Sequence, residues 1–210
     1  MKTIGIKKFI EKGKFTLSDE YKKILADIGK AINSIEHPAG SGGFYLFPKI
    51  DGNGVVPIKD AFIKTLDSLG WQNENVCSPL IKKRRFDSSY SLGNDKFFAI
   101  EWETGNISSS HRALNRLILG ILDGVLEGGI LVLPSRNMYQ YLTQRTGNFK
   151  ELEPYFPVWD KLAESMESGI LLIIEIEHDG VSEHIPPLPK GKDGRAREAS
   201  AKRMEILKPR

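Results

Sequence analysis

Two short runs, Ile130-Leu131-Val132-Leu133 and Leu171-Leu172-Ile173-Ile174, are apolar at every position. A strand with one wet face alternates apolar and polar residues, so a strand apolar throughout must be covered on both faces. Each run demands helices above and below it, and the chain supplies them. From Ser109 to about Leu126, Leu114, Leu117, Ile118, Ile121, Leu122 and Val125 follow helical spacing, with Arg112 and Arg116 on the other side and Gly128-Gly129 as the stop. Leu17, Tyr21, Ile24, Leu25, Ile28 and Ile32 form a stripe over 16–35, where Thr16 can serve as the cap. Pro57 suits the first turn of another helix, with Ala61, Phe62, Leu66 and Leu69 inward and Gly70 at its end. Further helices are expected near 136–145 and 150–167, and a buried strand over 170–177.

Strands are also expected at 79–87 and 96–103, joined through Leu92-Gly93-Asn94-Asp95, and residues 37–54 read as a loop or a short hairpin around Phe44 to Phe47. The alternation of strand and helix in the second half predicts an α/β fold, a central mixed β-sheet flanked by helices on both sides.

At 210 residues and 40% hydrophobic content the chain can bury one full core, so a single domain over 1–210 is expected. No apolar run reaches membrane-spanning length, and the N-terminal residues lack a signal-peptide block. The single cysteine, Cys77, excludes an internal disulfide and a cysteine-based zinc cluster, which fits a reducing cytoplasm. Residues 190–210 hold eight basic and three acidic groups, a tail charge of +5 within a total of +3, so the body is slightly acidic. After Pro186-Pro187 this tail, 186–210, reads as loosely ordered, and it serves equally as a solvated end or an electrostatic arm for phosphates.

The chemistry concentrates between residues 98 and 112, Phe-Ala-Ile-Glu-Trp-Glu-Thr-Gly-Asn-Ile-Ser-Ser-Ser-His-Arg. Side chains alternate along a strand, so Glu101 and Glu103 share a face while Trp102 enters the opposite layer. Upstream, Arg85-Phe86-Asp87 would close a neighbouring strand and bring Asp87 beside Glu101. Three clustered carboxylates raise one another's pKa, and a divalent cation with hard oxygen ligands removes that conflict. In phosphodiester hydrolysis such an ion polarises the phosphoryl oxygen and activates water, and a Glu slightly off the ligand set can take the water's proton. Glu103 fits that role.

Asn106, Ser108 and Arg112 open the next helix. A helix start attracts anions, Asn suits adenine edges and Arg suits guanine edges, although Ser108 as a plain cap and Arg112 as a surface cation remain the bland alternative. A second pair, Glu175-Ile176-Glu177, is the internal control: no upstream acid and no polar helix start accompany it, so it reads as a solvated strand end. Lys82-Lys83-Arg84-Arg85 is equally a solvated edge or a phosphate clamp. Histidines 37, 111, 178 and 184 lack zinc spacing, and Ser110-His111 lacks a nucleophile elbow.

The run Glu101-Trp102-Glu103-Thr104-Gly105-Asn106-Ile107-Ser108-Ser109 with His111-Arg112 closely resembles type II restriction endonucleases of the BamHI family. Asn53-Gly54-Val55-Val56-Pro57-Ile58-Lys59, Tyr141-Leu142-Thr143, Asn148-Phe149, Glu151-Leu152-Glu153-Pro154-Tyr155-Phe156, Pro189-Lys190-Gly191 and Asp193-Gly194 agree in the same order. The resemblance implies the PD-(D/E)xK restriction-endonuclease-like fold with Glu in place of the usual Lys. It implies Asp87 and Glu101 as metal carboxylates, the main-chain carbonyl of Trp102 completing the site, Glu103 as the base, and Glu74 as a fourth acid. Asn106, Ser108, Arg112, Gln144, Arg145, Lys59, Asp193 and Gly194 fall on DNA contacts.

It further implies Mg²⁺, with Mn²⁺ as a substitute and Ca²⁺ supporting binding without cleavage. The implied target is the palindrome GGATCC cut after the first G by a homodimer, alongside a cognate DNA methyltransferase acting on the same site. Two departures stand out. The family has an acid before Arg145 that accepts from cytosine, and here it is Gln144. The spacing from Asp87 to Glu101 is also shorter, which predicts a trimmed hairpin.

Overall fold

The computed structural model describes residues 1–74 and 85–191. Among them the strands are β1 (Lys2–Lys12), β2 (Tyr45–Leu46), β3 (Gln72–Asn73), β4 (Ser88–Gly93), β5 (Lys96–Trp102), β6 (Leu126–Pro134), β7 (Gly169–Glu177) and β8 (Gly180–Val181). The helices are α1 (Asp19–Asn33), α2 (Val56–Ser68), α3 (Ile107–Leu122), α4 (Arg136–Tyr139), α5 (Phe149–Leu152) and α6 (Phe156–Glu164). Six strands form one sheet in the order β1-β7-β6-β5-β4-β3, while β2 and β8 pair separately. The centre, β5-β6-β7, is parallel, and the flanking pairs β1–β7, β4–β5 and β3–β4 are antiparallel. The sheet is mixed, as expected.

Residue parity along the central strands sorts the core into two layers. Phe98, Ile100 and Trp102 of β5, Ile130 and Val132 of β6, and Ile170, Leu172, Ile174 and Ile176 of β7 pack with the apolar stripes of α1 and α2. Ala99, Leu131, Leu133, Leu171 and Ile173 face the other way, onto Ala113, Leu114, Leu117 and Ile118 of α3 and Phe156 and Trp159 of α6. Glu101 has the parity of Ala99, which sends its carboxylate toward α3.

Several boundaries differ from expectation for local reasons. The α1 cap is Ser18, whose side chain accepts from the Tyr21 N–H, and Thr16 lies in a preceding 3₁₀ turn with Leu17 exposed. Helix α3 begins earlier because the Asn106 side chain caps it by accepting from the Ser109 N–H. It ends at Leu122, with Gly124 at a positive φ just beyond, rather than at Gly128-Gly129, which lie inside β6. Those two glycines permit close packing: a Cβ on Gly129 would meet Leu117 Cδ2 at 2.6 Å.

Tyr45–Leu46 pairs in parallel with Gly180–Val181, so no hairpin forms there. The expected helix over 136–145 is only α4, and that over 150–167 is split by a 3₁₀ turn at Glu153–Tyr155, where Pro154 interrupts the ladder. Asp87 precedes β4 rather than ending a strand over 79–87, whose residues 79–84 lie outside the described chain. The β4–β5 turn is tight, with Asn94 and Asp95 both at positive φ. Strand β1 was not foreseen, because Ile4 and Ile6 are about half exposed on this sheet edge and its pattern is diluted by lysines. No described helix is long and apolar enough to cross a membrane.

The segment Asn53-Gly54 is where the chain after β8 crosses the loop before α2. The Gly54 N–H donates to the Leu188 carbonyl at 2.9 Å, and a Cβ on Gly54 would lie 1.9 Å from the Pro189 carbonyl oxygen. Backbone rather than a movable side chain occupies that space. Gly54→Ala is therefore expected to destabilise the protein by about 1–3 kcal/mol, read as a lower thermal midpoint; an unchanged midpoint contradicts this packing.

Candidate active site

At the end of β5 the sheet delivers carboxylates into the α3 layer. Glu101 is 2% exposed. Its Oε1 accepts from Arg116 of α3, at 2.8 Å from Nε, and an ion pair closes at 2.6 Å to the second guanidinium nitrogen. Asp87 is held against the same strand end: its Oδ2 accepts from the Trp102 N–H at 2.9 Å, and its Oδ1 from Lys59 Nζ at 2.6 Å. Trp102 itself points into the opposite layer, its ring 4.6 Å from that of Phe62. Glu103 continues the register, its N–H donating to the Val132 carbonyl. The strand end thus fixes Asp87 from one side and both glutamates from the other.

Two cations hold this acid edge together. Burial first, and then the charge of Asp87, push Glu101 up to about 8 against the opposing pull of Arg116. Burial and Asp87 likewise raise Glu103, while a backbone N–H at Gly105 and the charge of Lys59 pull it down. Negative charge is in excess. The groups Asp87, Glu101 and the Trp102 carbonyl offer hard oxygen donors of the kind Mg²⁺ takes, with water filling the remaining positions. No three His, Cys, Asp or Glu side chains among the described residues already converge as a metal cage. The donor set fits an ion held by few protein ligands and several waters, not a closed structural site.

Immediately beyond Glu103 comes a polar surface. Asn106 and Ser108 are exposed on the first turn of α3, and Arg112, also exposed, donates to Ser109 Oγ at 2.7 Å. A tight turn over 143–146 closes when the Thr146 N–H donates to the Thr143 carbonyl, and Arg145 holds φ at 67°. The next residue staples this turn to the helix start: the Gly147 N–H donates to the Gly105 carbonyl at 2.6 Å. A Cβ on Gly147 would lie 3.1 Å from Ile107 Cα, so the two segments touch backbone to backbone. Gln144 and Arg145 thereby share one surface with Asn106 to Arg112.

Other expected residues fall elsewhere. Glu74 shares backbone with the site, its N–H donating to the Asp87 carbonyl, but its exposed carboxylate meets Arg85. Asp193, Gly194 and Lys82 to Arg84 lie outside the described residues. Glu177 is buried, not solvated as expected: Ser135, Asn137 and His178 hydrogen-bond its carboxylate and lower its pKa against burial. Glu175 remains partly exposed. Arg116 was missed because its helical position looked outward; the available signal was that an acid facing a helix needs a cation from that helix.

The model of the restriction endonuclease BamHI family matches residues 1–195. The chain belongs to this family. It is 47% identical over 175 residues to the type II restriction enzyme OkrAI of Oceanobacter kriegii, covering 82% of this chain and 89% of that protein. It is 31% identical over 205 residues to the type II restriction enzyme BamHI of Bacillus amyloliquefaciens, covering 89% and 93%. The fold is shared with the restriction endonuclease BglII solved with a DNA 16-mer, at TM-score 0.59 and 8% identity over 84% of this chain and 79% of that one. Free BglII gives 0.53 and 9%, over 84% and 81%. This BamHI-family member is thus a type II restriction endonuclease with the restriction-endonuclease fold.

The raised pKa of Glu101 ties stability to pH. The folded protein keeps a proton that the unfolded carboxylate releases near 4.5, so this stability is present below that value and lost as pH rises through about 8. In EDTA, the thermal midpoint should fall from about pH 5 to 8 more steeply in wild type than in Glu101→Gln. Equal slopes would show that Glu101 does not hold a proton in the folded protein at these pH values.

Proposed function

We propose that this enzyme cuts double-stranded DNA at GGATCC after the first G of each strand, as a Mg²⁺-dependent homodimer. The observation that carries the reading is the staple between Gly147 and Gly105, which joins the Gln144-Arg145 turn to the helix start directly beyond Glu103. Groups suited to base edges and groups suited to phosphate hydrolysis then occupy one rigid edge. The specific site rests on the family resemblance, since Asn106, Ser108, Arg112 and Arg145 all stand at the groove-reading positions. Discrete cutting of a palindrome requires such a set; a nonspecific nuclease does not.

Asp87, Glu101 and the Trp102 carbonyl would hold the ion, which supplies charge for the phosphoryl oxygens and a more acidic water. Glu103, off that ligand set and with a raised pKa, accepts the water's proton. Arg116 keeps the Glu101 carboxylate aimed from α3. Lys59 stands on Asp87 and is placed to meet a phosphate once other positive charge relieves it. By the family resemblance, Glu74 would join as a fourth acid and Asp193-Gly194 would approach the DNA.

A palindrome cut on both strands calls for a two-fold dimer. Leu119 and Leu122 of α3 and Tyr155 and Val158 beside and within α6 are each at least half exposed, and they give the proposed interface an apolar character. A methyltransferase for the same site protects the host without a lasting complex.

Incubating the purified protein with a sequenced plasmid and Mg²⁺ tests the activity. Fragments ending at GGATCC are expected; a smear would mean a nonspecific nuclease, and intact retarded DNA a binding protein. Glu103→Ala should still bind the site in Ca²⁺ and lose cleavage in Mg²⁺ by at least about a hundredfold. Normal cutting by that variant removes Glu103 as the base.

A further inference from the structure

Gln144 stands where the family has an acid, and the structure shows a carboxylate directly behind it. Its Nε2 donates to Asp51 Oδ2 at 2.9 Å. Asp51 is itself pinned: its N–H donates to the Gln140 carbonyl, Asn53 bonds the Tyr141 carbonyl through both backbone and side chain, and Asp51 sits at φ 55°. The loop carrying Asp51 is therefore fixed against the segment that leads into the Gln144 turn.

An amide side chain has a donor end and an acceptor end, and a half turn exchanges them. A carboxylate only accepts. With Asp51 behind it, Gln144 must turn its NH₂ inward, and the carbonyl Oε1 becomes the opposite end. We infer that Asp51 is a specificity-determining positioning residue, locking Gln144 as an acceptor that reads the amino group of a base in the major groove. The inference rests on the proposed site-specific cleavage.

Arg145, next along the turn, carries only donors. An acceptor beside a donor set matches one base pair best. Guanine presents O6 and N7 as acceptors, and its cytosine partner presents the N4 amino donor. The pair Gln144-Arg145 with Asp51 behind it is thus built for a G·C pair. The negative charge that the family places at position 144 stands one residue deeper here, at Asp51.

The test is the cleavage profile over a library of randomised six-base palindromes, sequenced after digestion in Mg²⁺. Asp51→Asn keeps size but can donate as well as accept, so the amide polarity is no longer forced. It should lower the G·C preference about tenfold at one symmetric pair of positions, with other positions unchanged, and Gln144→Ala should soften the same positions. Gln144→Glu alone places two carboxylates together and should lose activity, whereas Asp51→Asn with Gln144→Glu should regain it with G·C preference. An Asp51→Asn profile identical to a sharp wild-type profile overturns this inference alone, as does a double variant no better than Gln144→Glu. A wild type with no preferred sequence overturns the proposed function with it.

Discussion

The structure turns on the placement of a buried carboxylate at the end of a central strand. Glu101 has the parity of Ala99 and so faces the apolar layer under α3, where an unpaired charge is costly. Arg116 answers it from the helix and Lys59 answers Asp87 from α2; in the proposed function an ion meets the negative charge that is left. Shifting α3 so that Arg116 left Glu101 would leave that buried carboxyl without its partner. The packing of α3 across the sheet is therefore tied to the charges at the end of β5.

In the proposed function the same edge would link cleavage to reading without a long mechanical path. Glu103, Gly105 and Asn106 lie within four residues, and the Gly147 staple brings the Gln144-Arg145 turn onto the same backbone. On that reading, a shift of the helix start on DNA would carry Glu103 with it. Glycines make this possible by allowing close approach at Gly147, and at Gly54 where the chain after β8 passes.

Much of this was legible in the sequence. The two fully apolar runs required a covered sheet, and strand parity alone sent Glu101 and Glu103 to one side and Trp102 to the other. Asp87 was placed beside Glu101 correctly, although by a strand start rather than a strand end. Contacts between distant segments were not legible: Arg116 on Glu101, Lys59 on Asp87 and Asp51 on Gln144 depend on packing that leaves no periodic trace. Helix ends were also misplaced wherever two capping residues competed, as with Thr16 and Ser18, or where glycine served packing rather than termination, as at Gly128-Gly129.

Mn²⁺ binding to the free protein, followed by electron paramagnetic resonance, reports directly on the carboxylates at the end of β5. Wild type should bind Mn²⁺, with binding weakened more than about tenfold in both Asp87→Asn and Glu101→Gln and far less in Glu103→Gln. Equal Mn²⁺ binding by all four proteins would contradict Asp87 and Glu101 as its ligands.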